Sequence, residues 1–497
     1  MTTPSILLLD LLHDFIHPDQ NLLIKGLTQD SRAVSPGDLF IAVPGLQVDG
    51  RNFVAQAVSK GAAAIMYENG DGFQIPAEWS NYSIPIIGYS GLNAIISLIA
   101  ARFYQNPTQQ MTVIGVTGTN GKTSVSQIIA QALTIKGRRC AVMGTLGQGF
   151  LPNLQPTGYT TPDSVNLQKQ LAGCRQQGAD SVSMEVSSHS LCQDRVSGVD
   201  FDIAVFTNLT RDHLDYHKTM EAYGAAKAKL FQFPSLQACI YNADDDFGRV
   251  LLEKHSSSSK SFAYSVNPHI KIKNSLVHAQ YVRPEAKGFQ IHLNTPWGSG
   301  EFHLPLLGRF NISNALAVIT VLGALAIPLS ECLSLAEHFQ PVKGRMHAIS
   351  SNGSPLVIVD YAHTPDALEQ VLTSLREHRP RQLWCVFGCG GNRDRGKRPQ
   401  MGMIAAKYSD HILLTNDNPR NESPKLIIAE IKQGIPAKAC LQILPDRLTA
   451  IRAAINQAGP EDIVLIAGKG HENEQIIGDQ VVPFSDIDTV KLILSTL

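Results

Sequence analysis

The 497-residue sequence lacks the features that mark membrane, secreted or nucleic-acid-binding proteins. Its 42 basic and 43 acidic residues leave a net charge of −1, so no excess of positive charge predicts a nucleic-acid partner. No apolar run approaches the roughly 18 residues of a membrane-spanning helix. The first stretch, MTTPSILLLDLLHDF, has no basic region and carries Asp10, His13 and Asp14. It therefore predicts an amphipathic helix rather than a signal peptide.

Cysteine is also scarce, with eight residues scattered along the chain. The closest pair, Cys385 and Cys389, has no zinc-type partners nearby. We therefore expect eight reduced thiols and a cytoplasmic protein. The sequence also lacks low-complexity segments, short-period repeats and any evident Ser-His-Asp arrangement.

The sequence is rich in short apolar strands that alternate with helical patterns, which predicts an α/β fold with mostly parallel sheets. The length allows two to four domains of ordinary size. We place the boundaries near residues 89 and 341, giving segments 1–89, 90–341 and 342–497. In the last segment LVIVDYAH, QLWCVFGCGG, HILLTNDNP, LQILPDR and DIVLIAGKGHE each end in polar or glycine-rich residues. Ligands collect beyond such strand ends in open parallel sheets.

The stretch GVTGTNGKTS, Gly115 to Ser124, is similar to a phosphate-binding loop but has Val116 where the usual spacing requires glycine. A predicted strand precedes it and a predicted helix follows, which is the setting that such a loop requires. Gly118 and Gly121 would let the backbone approach phosphates. Lys122 would neutralise their charge, and Thr123 would reach a magnesium ion.

Further candidates follow other predicted strands. Glu185 ends one strand, and a carboxylate there would bind magnesium or lie in solvent. Asp212 and His213 suit a helix cap as well as a metal site. Lys227 and Lys229, on spacing alone, are typical of a solvated helix face.

The stretch GCGGNRDRGKRP, Gly388 to Pro399, places four cations after a glycine-rich turn and predicts an anion site. In DNPRNESP, Asp417 and Arg420 would grip the ammonium and the carboxylate of an amino acid. An ordinary turn is the alternative for this spacing alone.

These motifs together resemble the Mur ligase family, and most closely its members that add the third residue of the peptidoglycan peptide. The resemblance extends from DSRAVSPGDLFIAVPG to AGKGHE and rests on a set of motifs in one order along the chain. These are TGTNGKT, MEVSSH, NLTRDHLDYH, GRFNISNALA, GRM, VDYAHTPDAL, FGCGGNRDRGKRP and DNPR. The loop's unusual glycine spacing is the family's own.

The resemblance implies three domains: one that binds the UDP-sugar, a central phosphate-loop ATPase and a Rossmann-like domain for the incoming amino acid. It implies ATP-dependent addition of meso-2,6-diaminopimelate to UDP-N-acetylmuramoyl-L-alanyl-D-glutamate through an acyl phosphate, with Mg²⁺ as cofactor. We expect no nucleic-acid partner and a monomer. The closest alternatives are the alanyl-alanine-adding ligase and folylpolyglutamate synthetase, against which MEVSSH together with DNPR argues. An ATPase that switches a protein partner would leave the C-terminal motifs unexplained.

The resemblance also implies a role for individual residues. The catalytic set is Lys122, Glu185, His213 and Lys227. The nucleotide set is Gly118, Thr119, Asn120, Gly121, Lys122, Thr123, Ser124, Asn311, Arg345 and Asp360. The UDP-sugar and peptide set is Ser31, Leu46, Gln47, Val48, Thr160, Thr161, Ser187, Gln193 and Arg195. The amino-acid set is Arg393, Asp417, Asn418, Pro419, Arg420, Gly468 and Glu472. The metal set is Thr123, Glu185, His213 and Lys227 as a carbamate.

The sequence departs from the family pattern at two positions. His347 follows GRM where an acid is expected, and we assign it no role. Tyr159 precedes the paired threonines Thr160 and Thr161.

Overall fold

Short apolar runs form the strands of the structure, because alternate side chains can then be buried on the two faces of a sheet. The structure is a computed structural model that describes residues 4–45, 48–70, 72–255, 260–272, 275–285, 288–378 and 380–496. The chain divides into two units. The first contains Met1–Thr117, Gly137–Ala204 and Ala226–Gln237, and the second contains Gly118–Lys136, Val205–Ala225 and Ala238–Leu497.

The N-terminal part of the first unit is a four-stranded parallel sheet with helices. The elements are β1 (Ile6–Leu7), α1 (Leu8–Leu12), β2 (Leu23–Ile24), β3 (Gly26–Thr28), β4 (Asp38–Ala42), α2 (Val54–Ser59), β5 (Ala64–Glu68), β6 (Ile86–Tyr89) and α3 (Leu92–Phe103). The sheet order is β3-β4-β5-β6. The predicted N-terminal helix is confirmed as α1, whose Leu8, Leu11 and Leu12 are buried in the core.

The middle of the chain contributes strands and helices to both units. The elements are β7 (Thr112–Thr117), α4 (Lys122–Ile135), β8 (Cys140–Gly144), β9 (Gly147–Phe150), β10 (Asn153–Gln155), α5 (Ser164–Gln176), β11 (Ser181–Glu185), α6 (Ser188–Cys192), β12 (Ile203–Phe206), α7 (Leu214–His217), α8 (Met220–Ala228), β13 (Ala238–Asn242), α9 (Asp246–Lys254), β14 (Lys260–Ser265), β15 (Ser275–Glu285), β16 (Gly288–Thr295), β17 (Gly298–Leu304), α10 (Phe310–Ala324) and α11 (Leu329–Ala336).

Most of these strands are parallel. In the first unit β11 pairs in parallel with both β7 and β8, while β9 and β10 add antiparallel strands. In the second unit β13, β14 and β15 are parallel, and β16 and β17 are antiparallel, as HAQYVR and GFQIHL predicted.

The C-terminal part of the second unit is a six-stranded sheet covered on both faces. Its elements are β18 (His347–Ile349), β19 (Leu356–Asp360), α12 (Pro365–Glu377), β20 (Leu383–Phe387), α13 (Lys397–Tyr408), β21 (His411–Leu414), α14 (Pro424–Lys432), β22 (Cys440–Ile443), α15 (Arg447–Gln457), β23 (Ile463–Ala467), β24 (Glu474–Ile477), β25 (Gln480–Pro483) and α16 (Asp486–Leu494). The order is β18-β19-β23-β20-β21-β22, with only β18 antiparallel; β24 and β25 form a separate hairpin.

Alternation along the strands of this sheet separates two cores. Ile358 and Leu465 pack with α12, α13 and α14, whereas Val357 and Val464 pack with α15 and α16. Because β19 to β23 pair in parallel, their carboxyl ends lie at one edge of the sheet. The predicted ligand residues lie at that edge. Within the described ranges, no helix has both the length and the apolar composition needed to cross a membrane.

Candidate active site

The predicted phosphate loop lies in the second unit and leads into α4. Gly121 has a φ of +86°, a conformation that side chains disfavour. A Cβ on Gly118 would lie 1.8 Å from the Thr207 hydroxyl, and one on Gly121 would lie 2.8 Å from Asn314 Oδ1. These two glycines are therefore required by close packing as well as by the turn.

The loop is supported by the segment that follows β12. The Thr119 and Asn120 amides donate to the Asn208 main-chain and side-chain oxygens, at 2.8 and 2.9 Å. The Thr207 hydroxyl donates to the Asn120 carbonyl at 2.5 Å. Lys122 Nζ folds back onto the carbonyls of Gly118 and Thr119, at 2.9 and 2.8 Å. The lysine ammonium is thus held at the mouth of the loop, at the N-terminus of α4, where anions are favoured.

Three predicted nucleotide residues line one cavity in the second unit. The cavity has a volume of about 320 Å³, and Ser124, Asn311 and Arg345 contribute to walls that are otherwise mainly apolar. Arg345 also donates to the Thr123 hydroxyl at 3.2 Å and lies 4.3 Å from the centre of the Tyr361 ring. The cavity therefore adjoins the phosphate loop and offers a flat apolar group both packing and polar contacts.

Asp360 holds the loop that contains Arg345 through hydrogen bonds to its main chain. Its two carboxylate oxygens accept hydrogen bonds from the amides of Met346 and Ala362, at 2.7 and 2.8 Å. Met346 has a φ of +47°, an unusual backbone conformation that these contacts maintain. Burial raises the pKa of Asp360, although the Arg345 cation opposes that shift.

Asp212, in the segment Arg211–His213, lies near two histidines, and the sequence analysis identified only one of them. Asp212 is buried and lies 3.4 Å from His213 Nε2 and 3.7 Å from His363 Nε2. Burial alone would raise the pKa of Asp212, but the His363 and His213 imidazoles hold it well below its usual range. His363 was missed at the sequence level, although its motif VDYAHTPDAL was recognised.

The predicted amino-acid residues Asp417, Asn418, Gly468 and Glu472 gather at the ends of β21 and β23. Asn418 donates to Glu472 at 2.9 Å and accepts from the fully buried Lys469 ammonium at 2.9 Å. Gly468, with a φ of +113°, approaches Asp417 so closely that a Cβ would lie 2.6 Å from the carboxylate. Lys469 donates to Glu472 at 2.8 Å as well and was not predicted.

Arg420 lies beside this group and close to Arg393. Its Nη1 donates to the Gly391 carbonyl at 2.9 Å. A Cβ on Gly390 would lie 2.9 Å from Arg420 Nη1 and 3.8 Å from Arg393 Cγ, so the two arginines flank that glycine. Burial and the Arg393 cation lower the pKa of Arg420. Two guanidinium groups that repel one another form a site that an anion would stabilise.

The prediction that all four cations of Gly388–Pro399 form one anion site is wrong for two of them. Arg398 is fully buried and pairs with Glu422 and Glu430, at 2.9 and 2.7 Å. Arg395 pairs with Glu430. These carboxylates already neutralise the two cations, so Arg395 and Arg398 are not available to a bound anion.

In the first unit, Glu185 lies at the end of β11 with 1% of its surface exposed. Its carboxylate accepts from the Thr145 amide and hydroxyl, at 2.8 and 3.2 Å. A Cβ on Gly144 would lie 2.2 Å from Oε1, so glycine is required there. The Thr145 hydroxyl also meets that of Thr160 at 3.0 Å.

Most of the predicted UDP-sugar and peptide residues adjoin Glu185. Thr161 donates to the Glu185 carbonyl at 3.0 Å and accepts from the Ser187 amide at 3.2 Å. Arg195 donates to the Thr161 carbonyl at 3.1 Å and to Gln193 at 2.5 Å. Five residues of the predicted set, Thr160, Thr161, Ser187, Gln193 and Arg195, therefore belong to one hydrogen-bonded cluster around the end of β11.

The other residues of that set lie elsewhere or outside the described residues. Ser31 is buried, and its hydroxyl donates to Gln56 at 2.7 Å, whereas Val48 is 57% exposed. Leu46 and Gln47 lie outside the described residues. Tyr159, which departs from the family pattern, is 67% exposed.

Lys227 is the buried lysine of the pair considered above, with 1% of its surface exposed in the last turn of α8. The expectation from spacing that it lies on a solvated face is therefore wrong. Lys229 is exposed over 45% of its side chain and contacts the Leu191 carbonyl at 3.1 Å and Asp194 at 3.5 Å. Burial therefore distinguishes Lys227 from Lys229.

Models of known families match the chain in three places. The Mur ligase family, catalytic domain, matches residues 23–104; the Mur ligase middle domain matches 116–322; the Mur ligase, glutamate ligase domain matches 344–470. The chain is 51% identical over 475 residues to the UDP-N-acetylmuramoyl-L-alanyl-D-glutamate–2,6-diaminopimelate ligase of Coxiella burnetii, covering 95% of this chain and 96% of the relative.

Solved structures agree with the sequence comparison. A structure of UDP-N-acetylmuramoyl-L-alanyl-D-glutamate–2,6-diaminopimelate ligase is 36% identical, with a TM-score of 0.69 over 99% of both chains. The alanyl-alanine-adding ligase of Acinetobacter baumannii shares the fold at 19% identity, with a TM-score of 0.64 over 100% of both chains. The predicted α/β, three-domain fold is confirmed. This chain belongs to the Mur ligase family.

Proposed function

We propose that the protein is the ATP-dependent ligase that joins meso-2,6-diaminopimelate to UDP-N-acetylmuramoyl-L-alanyl-D-glutamate in peptidoglycan synthesis. The observation that carries the proposal is the 51% identity to a ligase of that name over 95% of the chain. The alternative alanyl-alanine-adding ligase shares only 19% identity. The cations Arg393 and Arg420 would bind the second carboxylate of diaminopimelate, a group that lysine lacks. The pair therefore supports diaminopimelate as the amino acid that is added.

In the proposed reaction the substrate's glutamyl carboxylate attacks the γ-phosphorus of ATP, forming an acyl phosphate and ADP. The amine of the incoming amino acid then attacks the acyl carbon, and phosphate leaves as the peptide bond forms. Reactions of this kind depend on positioning and on neutralising charge. Lys122, at the N-terminus of α4, would stabilise the negative charge on the transferring phosphoryl group.

The nucleotide would lie along the phosphate loop, Gly118 to Ser124, and in the adjoining cavity. Asn311 and Arg345 line that cavity, whose apolar walls suit a base. Asp360 would serve the nucleotide through the loop that it holds at Met346. Asp360 is therefore proposed to position the loop and not to contact the nucleotide.

Two of the proposed metal ligands offer the oxygen donors that Mg²⁺ prefers. Thr123 offers a hydroxyl and Glu185 a buried carboxylate; His213 completes the proposed set from the sequence. When bound, Mg²⁺ would supply positive charge to the phosphate oxygens of ATP. The chain itself holds the Glu185 carboxylate ready through Thr145.

Lys227 is proposed to act as a carbamate. The resemblance implies this modification, and the Lys227 side chain is buried whereas that of Lys229 is partly exposed. The uncharged amine is the form that reacts with carbon dioxide. The C–N bond that forms converts the amine into a carboxylate-bearing group and releases a proton. The resulting oxygen ligand would be compatible with a magnesium site.

The amino-acid site would use Asp417, Asn418 and Glu472 for the polar groups that diaminopimelate shares with lysine. Arg420 would bind the carboxylate that lysine lacks. Arg393 and Gly468 complete the site, with Pro419 fixing the turn. The UDP-sugar and peptide would contact the cluster of Thr160, Thr161, Ser187, Gln193 and Arg195, and its uridine end would contact Ser31, Leu46, Gln47 and Val48.

We propose that the protein works in the cytoplasm as a monomer. Its eight cysteines are all free thiols, which fits a reducing compartment where ATP is available. Light scattering would test the monomer, and fractionation of cells would test the compartment.

The function is tested by phosphate release from purified protein with ATP, Mg²⁺, the UDP-sugar dipeptide and a panel of amino acids. The proposal predicts release only when diaminopimelate and the dipeptide are both present. Equal release without an amino acid would favour an ATPase that switches a partner. Release with alanyl-alanine and the diaminopimelate-containing UDP-sugar tripeptide, and none with the dipeptide, would favour the rival ligase.

A further inference from the structure

Arg447 begins α15 and is fully buried with Asp486, the first residue of α16. The guanidinium donates from Nε to Oδ1 and from Nη2 to Oδ2 of that carboxylate, both at 2.8 Å. Burial alone would lower the pKa of Arg447, but Asp486 raises it above its usual value, so the arginine stays charged. This pair could not be predicted from local sequence patterns, because its partners are 39 residues apart.

The same guanidinium makes two further contacts, both with main-chain carbonyls. Nη1 donates to Asn416 at 3.3 Å and Nη2 donates to Ala467 at 3.0 Å. Asn416 immediately precedes Asp417, and Ala467 immediately precedes Gly468. Each carbonyl is therefore one residue from a member of the proposed amino-acid site.

The two contacts connect strands that do not pair with one another. Asn416 follows β21 and Ala467 ends β23, and β20 lies between these strands in the sheet. Neighbouring strands are roughly 4.8 Å apart, so the two ends are separated by about two strand spacings. No ladder hydrogen bond fixes that separation directly, whereas one planar guanidinium reaches both ends.

We propose that Arg447, fixed by Asp486, is a positioning residue that holds the backbones of the two halves of the amino-acid site at a set distance, beside the side-chain hydrogen bonds that Asn418 makes with Lys469 and Glu472. One half is Asp417 and Asn418, and the other is Gly468 to Glu472. This inference rests on the proposed function, because it concerns the binding of diaminopimelate. Arg447 itself lies beneath the site, so it would act through the backbone and would not touch the substrate.

The chemistry of the guanidinium explains why arginine is needed. Four contacts are made at fixed angles by one rigid planar group. Lysine would retain the charge for Asp486, but its ammonium is a point donor that does not reproduce the fork. Arg447→Lys is therefore the variant that separates ion pairing from the clamping of the carbonyls.

The experiment measures KM for diaminopimelate, ATP and the UDP-sugar dipeptide separately, together with kcat and Tm. Arg447→Lys is expected to raise the KM for diaminopimelate by about tenfold or more, since small misplacements of binding groups are costly in rate and affinity. The KM values for ATP and the dipeptide are expected to stay unchanged. The matched control is Ile455→Ala on the same helix, which opens a cavity in the core and lowers Tm without touching either carbonyl.

If Arg447→Lys does not fold, the double variant Arg447→Met/Asp486→Val carries the same test. Apolar replacement of a buried ion pair often preserves stability, yet it removes both carbonyl contacts. An unchanged KM for diaminopimelate in the folded variant would overturn the proposal. So would an equal rise for all three substrates, or the same rise in Ile455→Ala, because either result indicates general loosening. Failure of the unmodified protein to use diaminopimelate would instead count against the proposed function.

Discussion

Replacing Arg420 by alanine removes the guanidinium that we assign to the far carboxylate of diaminopimelate. The backbone at residue 420 should stay in place. Its amide donates to the Ile476 carbonyl at 3.0 Å, and its carbonyl accepts from the Gly478 amide at 2.8 Å. These contacts do not use the side chain. The substitution therefore leaves these backbone contacts in place and removes, besides the guanidinium, only its hydrogen bond to the Gly391 carbonyl and the longer one to the Asn418 carbonyl.

The size of the effect follows from the charge of the lost contacts. A hydrogen bond to a charged group contributes about 1.5–3 kcal/mol, and a guanidinium can make two with one carboxylate. Arg393 remains nearby and would retain part of the attraction, so we take the lower end, about 3 kcal/mol. This corresponds to a fall of roughly 10²-fold in kcat/KM for diaminopimelate.

The assay is steady-state phosphate release at saturating ATP and UDP-sugar dipeptide, with diaminopimelate varied. Arg420→Ala should raise its KM steeply and leave the KM for ATP unchanged. Arg395→Ala is the matched control, because Arg395 lies on the neighbouring loop, is 62% exposed and already pairs with Glu430. An unaltered KM in Arg420→Ala, or the same rise in the control, would refute the assignment.

Three further predictions test other parts of the account. Lys122→Ala should lower kcat by about 10²–10³-fold or more while Tm is unchanged; near-normal turnover would remove the lysine from the mechanism. Lys227→Ala should be nearly inactive and partly rescued by short carboxylic acids, whereas Lys229→Ala should retain activity; full activity with an unmodified Lys227 amine would contradict the carbamate. Hydrogen bonds from arginines lower the pKa values of Glu422 and Glu430. The two ionised carboxylates therefore stabilise the folded protein above about pH 4.5, and this contribution is lost as the pH falls through the lowered pKa values. Glutamine at both positions should therefore lower Tm at pH 7 more than at pH 3, as measured by thermal melts, and an equal loss at both values would be inconsistent with that pairing.

Much of the fold could be predicted because its strands are local features of the sequence. The runs ending at Asp360 and Ala467 are apolar over the length of a strand, whereas the run ending at Glu185 alternates serine with apolar residues. The phosphate loop was also predictable, since Gly118 and Gly121 act within a few residues of Lys122.

The charge pairing was not predictable, because it depends on residues far apart in the chain. Arg398 looks like a free cation in GCGGNRDRGKRP, yet its carboxylate partners lie 24 and 32 residues away. Lys227 likewise looks exposed by its spacing but is buried. Helical spacing alone does not say which face of a short helix meets the core, so tertiary packing decides both cases.

The supporting residues were missed for a similar reason. Asp360 was expected to serve the nucleotide, but its two oxygens hold main-chain amides of Met346 and Ala362. His363 and Lys469 lie inside recognised motifs. The structure brings His363 to Asp212 from a distant part of the chain, whereas Lys469 pairs with Glu472 three residues further along. A motif indicates which residues matter, whereas the contacts divide those residues into groups for binding and groups for support.

The choice of amino acid is tested most directly by the ratio of kcat/KM for meso-diaminopimelate and L-lysine, with the mass of each UDP-linked product determined. A site built around a polar partner can reject an analogue that lacks that partner by up to about 10⁴-fold. The account predicts a tripeptide product that contains diaminopimelate and a kcat/KM for lysine lower by orders of magnitude. Comparable values for the two amino acids, with both products formed, would contradict it.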